Sequence, residues 1–126
     1  MKEARILSPE EWPRMEDRDI SALLPFIEPE NIHLVVVEDE SGQIVASVGV
    51  LQTTHFEGLW IAPEHRGNAG VFRSLIRKAY SIPRGRNEHW AFGGAKSDDE
   101  RMKSLCRKLG GTQMPIEFFA ISVEGN

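Results

Sequence analysis

Thiols and metal-binding histidine patterns are scarce in this chain of 126 residues. A single cysteine, Cys106, excludes an internal disulfide and leaves no second thiol for a zinc site. The four histidines show neither the HExxH nor the HxxxH spacing that places two ligands on one face of a helix. We therefore expect no metal site.

Long apolar runs are missing as well. Apolar residues make up 40% of the chain, and no run approaches the roughly 18 to 20 apolar residues of a membrane span. The first residues, MKEARILSPEEW, have neither the apolar segment nor the small-residue cleavage site of a secretory signal. Length and composition therefore predict one domain over residues 1–126, with no membrane partner and a cytoplasmic location.

Acidic side chains are absent from residues 65–87, although the whole chain carries a net charge of −4. Ten acids lie between Pro9 and Glu40 instead. A basic patch in an acidic molecule suits a small phosphorylated ligand better than a nucleic-acid duplex, so we expect no nucleic-acid partner. A solvated helix face is the alternative for each of the six cations, which are Arg66, Arg73, Arg77, Lys78, Arg84 and Arg86.

Apolar patterning predicts the element order β, α, β, β, β, α, β, α, β. Prolines keep any helix between the first two strands short, and Ser8 with Glu11 has the spacing of a capping box there. Ser97 and Glu100 have the same spacing before the last helix. The predicted strands are 5–7, 32–38, 43–52, 53–62, 88–95 and 115–123, and the longest helix follows residue 70 and ends near Pro83 and Gly85.

Two glycines, Gly67 and Gly70, stand directly before that longest helix. The first N–H groups of a helix have no partners within it, so such an approach favours an anion such as phosphate. The Walker pattern is missing, because the helix begins Gly70-Val71-Phe72 without its Lys-Ser/Thr pair. The G-x-G-x-x-G dinucleotide spacing is missing too.

The stretch LWIAPEHRGNAG resembles the acyl-CoA loop of the GNAT superfamily of CoA-dependent N-acyltransferases, whose pattern is Q/R-x-x-G-x-G/A. Arg66 takes the first place, whereas Ala69 stands where glycine, and Val71 where glycine or alanine, is usual. The order of elements from Ile32 to Val123 is similar, and CRKLGG resembles the family's YEKLGF. The resemblance implies an α/β (mixed α+β) fold with a central mixed, mostly antiparallel sheet of six to seven strands flanked by helices.

Acetyl-CoA is the acyl donor that this resemblance implies. Its pyrophosphate is expected on the loop amides, its pantetheine arm beside the preceding strand, and Arg73 within reach of a phosphate. The implied cofactor-binding residues are Ile61, Ala62, Arg66, Gly67, Asn68, Ala69, Gly70, Val71 and Arg73.

An attacking amine must be neutral, so a group or an ordered water has to take its proton. Relatives often place this base on the strand before the loop, nine or eleven residues ahead of its first Arg or Gln. These places are Glu57 and His55, which share one face of the strand. Cys106 occupies the place of a tyrosine that protonates the departing thiolate in many relatives, and we expect it in the core.

Two functional hypotheses follow. The first is an acetyl-CoA-dependent N-acetyltransferase that transfers the acyl group to a primary amine of a small molecule or a protein, by direct attack in a ternary complex. The second is a catalytically degenerate GNAT-like domain that binds CoA or a protein partner without chemistry. The sequence is compatible with a homodimer and does not identify the acceptor.

Overall fold

The computed structural model describes residues 2–124, which fall into two compact units, one ending at Gly94 and the other beginning at Ala95. The first unit contains a three-stranded sheet, a two-stranded sheet and the longer α-helix, and the second contains the shorter α-helix. The expectation of a mixed α/β fold with helices and an antiparallel sheet is confirmed. The single domain stays a prediction. No helix in the described residues is long and apolar enough to cross a membrane.

The three-stranded sheet holds the core of the first unit. Strands β1 (Arg5–Leu7), β2 (Ile32–Glu38) and β3 (Ile44–Leu51) pair antiparallel in that order, which confirms the predicted hairpin. The central strand β2 buries every second residue, as expected for a sheet covered on one face. The buried apolar residues of the described chain are Leu7, Met15, Ile27, Ile32, Leu34, Val36 and Ile44.

Short 3₁₀ turns cover that buried face between β1 and β2. They span Pro9–Met15, Asp19–Ala22, Leu24–Phe26 and Pro29–Asn31. A proline stands at the start of three of them, which agrees with the expectation that proline keeps these helices short. The predicted capping partner is in place, because the Glu11 carboxylate accepts from the Ser8 hydroxyl at 3.1 Å and from the Ser8 N–H at 3.4 Å.

Two arginines and two glutamates fasten this covering segment to the sheet. Arg5 contacts Glu38 at 2.6 Å and Glu11 at 3.0 Å. Arg14 contacts the same two carboxylates, each at 3.0 Å. Hydrogen bonds from Arg5 and then Ser8 lower the pKa of Glu11 from 4.5 to about 2, and hydrogen bonds from Arg5 and then Arg14 lower the pKa of Glu38 from 4.5 to about 2.

We expect the protein to lose stability as the pH falls from about 4.5 towards about 2, the range between the ordinary and the folded pKa values of Glu11 and Glu38. A carboxyl whose pKa is lowered by folding stabilises the native state only while it is ionised, so its contribution is complete above this range. Urea denaturation between pH 2 and pH 7 measures the effect. The Arg5→Gln variant lacks the main partner of both carboxylates, so the free energy of unfolding of this variant should fall less over the same pH range. An equal fall in both proteins would contradict the assignment.

The second sheet and the longer helix form a crossover unit, as predicted. Strand β4 (His55–Phe56) pairs parallel with β5 (Phe92–Gly93), and helix α1 (Ala69–Gly85) lies between them in the chain. The helix packs on β4 through the ring of Tyr80, which stacks on Phe56 with centroids 5.5 Å apart. Along the chain, the loop that contains Gly67, called the glycine loop below, lies between the end of β4 and the start of α1.

The second unit contains helix α2 (Glu100–Lys108). Its N-cap is Asp99, whose carboxylate accepts from the Met102 N–H at 3.0 Å. The predicted cap at Ser97 is therefore wrong by two residues. Asp at this position accepts the same hydrogen bond and also places negative charge at the positive end of the helix dipole.

The predicted sheet of six to seven strands is wrong for the described residues, which form a three-stranded and a two-stranded sheet. The expected strand 53–62 shrinks to β4, because Gly58 follows it at φ +68°, outside the extended region. The expected strand 88–95 shrinks to β5.

The segment 115–123 contains no strand, although its apolar pattern predicted one. Its side chains are largely exposed, with Ile121 at 80% and Val123 at 82%. Alternation shows which residues would share a face, but a strand also needs a neighbouring strand to bond its backbone.

Candidate functional site

The glycine loop ends in a helix cap made by its own asparagine. A 3₁₀ turn over Pro63–His65 leads to Asn68, whose backbone is extended and whose side-chain oxygen accepts from the Gly70 N–H at 2.9 Å. Asparagine is among the preferred N-cap residues for this reason. The cap therefore fixes the start of α1 and occupies one of the amides expected to hold phosphate.

Two backbone amides of the loop remain available. The N–H groups of Arg66, Asn68 and Val71 bond to carbonyl oxygens at 3.4, 3.0 and 3.2 Å. No group in residues 2–124 accepts from the N–H of Gly67 or Ala69. A Cβ on Gly67 would meet nothing within 4 Å, so the space in front of that residue is open. These two amides and the helix dipole favour an anion here.

Arg66 ties the loop back to the segment that precedes it. Its Nε donates to the Ile61 carbonyl oxygen at 2.8 Å. Ile61 is one of the two residues expected to pair with a pantetheine arm. Its backbone carbonyl already accepts the hydrogen bond from Arg66. Arg66 thus links the loop to the segment before it.

A groove of about 680 Å³ runs between the segment before the loop and the first two turns of α1. It brings together five residues that the sequence assigned to the cosubstrate, which are Ile61, Ala62, Asn68, Gly70 and Val71. The other four, Arg66, Gly67, Ala69 and Arg73, do not line it.

Four lining residues, Trp60, His65, Ser74 and Leu75, were not among the sequence assignments. Helical spacing carried a signal for two of them, because Ser74 and Leu75 lie one turn beyond Gly70 and Val71 on the same face of α1. Trp60 is 68% exposed at the rim of the groove, and nothing in the local pattern distinguished it from a core aromatic.

The two candidate bases lie together. The His55 Nδ1 is 3.5 Å from a Glu57 carboxylate oxygen. The ring of His55 stacks on Phe92 with centroids 5.8 Å apart, so β5 supports one face of the imidazole. Both side chains reach solvent, at 35% exposure for His55 and 58% for Glu57.

Gly94 leaves room for the Glu57 carboxylate. A Cβ at Gly94 would overlap both carboxylate oxygens of Glu57, so any other residue there would displace that side chain. The glycine immediately after β5 therefore leaves space for the acid beside His55.

A second cavity of about 810 Å³ lies between the β3–β4 junction and the last turns of α1. His55, Thr53, Glu30 and Arg86 are among its lining residues. One wall is fixed by polar contacts: Arg86 contacts Glu88 at 2.8 Å, and both bond to the Thr54 hydroxyl, at 2.7 Å from Arg86 and 3.0 Å from Glu88. Glu88 is only 12% exposed.

The six cations of the basic stretch do not converge on one ligand site. Three have partners already: Arg66 on Ile61, Arg86 on Glu88, and Arg84 over the Tyr80 ring at 5.3 Å. In the described part of the chain the remaining three, Arg73, Arg77 and Lys78, form no ion pair, which is the pattern of a solvated helix face.

No protein-family model matches the chain, and no curated protein matches its sequence. Solved structures do match it, and among them are several acetyltransferases. Their TM-scores lie below 0.5.

Three of these structures illustrate the likeness. An aminoglycoside antibiotic 6'-N-acetyltransferase from Acinetobacter haemolyticus is 16% identical, with 98% of this chain and 100% of that one covered and a TM-score of 0.46. An aminoglycoside N-acetyltransferase in complex with CoA is 10% identical, with 95% and 98% covered and a TM-score of 0.47. The ribosomal-protein-alanine N-acetyltransferase from Brucella melitensis is 12% identical, with 96% and 99% covered and a TM-score of 0.42.

Proposed function

We propose that the chain is an acetyl-CoA-dependent N-acetyltransferase that transfers the acyl group to a primary amine by direct attack in a ternary complex. One observation carries this proposal: the groove beside Trp60, Ile61 and Ala62 leads to the start of α1, where two amides are free. The segment that leads into this groove follows β4, and His55 and Glu57 lie just before it along the chain. An anion site, a binding groove and a proton acceptor thus follow one another along the chain.

The cosubstrate would lie with its diphosphate at Gly67 and Ala69 and its thioester arm along the groove. Glu57 precedes Ala62 by five residues, which an extended chain spans in at most about 18 Å. A thioester arm that runs along this segment would therefore bring its carbonyl towards Glu57. The resemblance of LWIAPEHRGNAG to acyl-CoA loops supports the same placement.

Glu57 would act as the base, with His55 holding its carboxylate. The amine nitrogen gives up a proton to Glu57, directly or through water, and attacks the thioester carbonyl carbon. The new C–N bond forms as the C–S bond breaks, and the electron pair leaves on sulfur. The amine would enter through the second cavity, where Glu30 favours a cationic acceptor and where the charge of Glu88 is balanced by Arg86.

The binding-only alternative is supported by a different observation. The Asn68 side chain accepts a hydrogen bond from the Gly70 N–H of the loop, and the Arg66 side chain donates one to the Ile61 carbonyl of the neighbouring segment. A domain with these contacts could hold a partner without performing chemistry.

Acetyl-CoA should stabilise the wild-type protein, and Gly67→Glu should abolish this effect. A ligand at 100 times its Kd that binds only the native state adds about 2.7 kcal/mol to the free energy of unfolding. A carboxylate at position 67 would occupy the open space before the amides and repel a diphosphate. Gly85→Glu is the matched control, because its Cβ also meets nothing within 4 Å and it lies at the other end of α1. Urea denaturation with and without acetyl-CoA gives the free energy of unfolding of the wild type, Gly67→Glu and Gly85→Glu.

Three results separate the hypotheses. Stabilisation of the wild type with thiol release in the presence of polyamines, aminoacyl compounds or peptides supports the transferase. Stabilisation without thiol release across that panel supports the binding-only domain. No stabilisation of the wild type, or equal stabilisation of Gly67→Glu, rules out the proposed site.

A further inference from the structure

Thr53, His55 and Glu57 form a continuous polar chain. The Thr53 hydroxyl oxygen is 2.5 Å from the His55 Nε2, and the opposite ring nitrogen faces Glu57 at 3.5 Å. The three residues alternate along an extended segment, so their side chains fall on one face. A hydroxyl, an imidazole and a carboxylate therefore lie next to one another in that order.

This order matches the roles in nucleophilic acyl transfer. The imidazole must touch the hydroxyl through one nitrogen and be oriented by a carboxylate at the other. With the proton of a neutral His55 on Nδ1, Nε2 can accept from the Thr53 hydroxyl, while Nδ1 lies 3.5 Å from the Glu57 carboxylate, longer than an ordinary hydrogen bond. Phe92 supports the ring, and Gly94 makes room for the carboxylate. The imidazole is therefore placed by its contacts with Thr53 and Phe92, and the Glu57 carboxylate lies beside it.

The second cavity gives a substrate access to the hydroxyl. Thr53 and His55 both line it, whereas Glu57 does not, as expected for a carboxylate that acts from behind the imidazole. Asn31 and Arg86 also line this space, and their side chains carry hydrogen-bond donors, of which Arg86 already directs two nitrogens to Glu88 and Thr54. The apolar part of the lining consists of Leu51, Phe56, Ala79 and Ile82. A carboxylic ester with a small acyl group combines an apolar body with a carbonyl that such donors can polarise.

We propose that Thr53 is the nucleophile of an esterase site whose base is His55 and whose orienting acid is Glu57. The Thr53 oxygen bonds to the ester carbonyl carbon while its proton passes to the His55 Nε2. The bond to the leaving group then breaks, and the leaving oxygen takes that proton as the alcohol departs. Water, deprotonated by His55, next attacks the acylated Thr53 and releases the carboxylic acid, which restores the hydroxyl.

This activity does not rest on the proposed N-acetyltransferase. It requires no CoA, and direct attack by an amine requires no hydroxyl at Thr53. Acetyl-CoA binding and ester hydrolysis can therefore succeed or fail separately.

Hydrolysis of p-nitrophenyl acetate by the full chain tests the proposal. The wild type should release p-nitrophenol at a rate that Thr53→Val lowers at least about tenfold, towards the rate without protein. Thr53→Ser should retain the activity, because it keeps the hydroxyl. Thr112→Val repeats the threonine-to-valine change at an exposed site in the second unit and should leave the rate unchanged. Peptide mapping after rapid acid quenching should find the acetyl group on the peptide that contains Thr53.

Circular dichroism and urea denaturation establish that Thr53→Val remains folded. Should that variant be unfolded, the comparison of wild type with Thr53→Ser and the mapped acetyl group still decide the matter. Wild-type hydrolysis no faster than buffer, an equal rate in folded Thr53→Val, or acetylation confined to other residues would overturn the proposal.

Discussion

Glu57→Gln should lower kcat for acetyl transfer to an amine by about 10²- to 10⁴-fold, the usual contribution of a general base. Glutamine has nearly the same shape as glutamate but cannot take a proton from the amine. The KM for acetyl-CoA should change little, because Glu57 does not line the groove assigned to the cosubstrate. Steady-state kinetics with a released-thiol assay measure both parameters, with the most active amine of the panel as acceptor.

Glu64→Gln is the matched control, since it removes one exposed carboxylate from the turn before the loop. Its kcat should stay within about twofold of the wild type, because the side chain lies outside the groove and the second cavity. A Glu57→Gln enzyme with wild-type kcat would show that another group or water alone accepts the proton, and the assignment of the base would be wrong.

Leu34→Ala should destabilise the protein by about 2 to 5 kcal/mol. Leu34 is 0% exposed in the central strand β2, so its removal leaves a cavity as well as losing buried apolar surface. Natural domains have about 5 to 15 kcal/mol of total stability, so this loss is a large fraction of it. Urea denaturation followed by circular dichroism gives the free energy of unfolding.

Val48→Ala provides the comparison within the same sheet. Val48 is 61% exposed on β3, and its truncation should change the free energy of unfolding by no more than about 0.5 kcal/mol. If the two variants lost equal stability, the buried face of the sheet would not be the one that contains Leu34.

The β2–β3 hairpin could be predicted because its information is local. Residues 32–38 are β-branched and apolar, a short turn follows, and the partner strand comes directly after it. The pairing of β4 with β5 was predictable in direction for a similar reason, since a helix between two strands implies parallel neighbours.

The extents of the later strands could not be predicted, because they depend on backbone conformation and on distant partners. Gly58 at φ +68° ends β4, yet a glycine in an apolar strand pattern does not reveal its own φ. Segment 115–123 has the right alternation, but alternation does not supply a paired neighbour. The cap of α2 was predicted at Ser97 and is found at Asp99. Both are good capping residues and they lie within one turn, so the sequence does not distinguish them.

Some features of the candidate site could likewise be predicted from the sequence, and others could not. Gly67 and Gly70 directly before an apolar helix pattern predicted a helix start with room for an anion. The contacts that modify it could not be read from order alone, because Arg66 and Asn68 find their partners only in the folded loop. Thr53 is a comparable case: its spacing from His55 was visible, whereas the hydrogen bond between them was not.

The Asn68 cap would compete with any anion that extended from the N–H groups of Gly67 and Ala69 to that of Gly70. A capping side chain contributes about 1 kcal/mol to stability, and an anion that takes the Gly70 N–H must first displace it. That exchange weakens the anion's affinity by about fivefold at 25 °C. In return, the empty protein keeps a closed helix end. The Asn68 side chain thus stabilises the unliganded helix end, and it would speed the release of an anion from the Gly70 N–H.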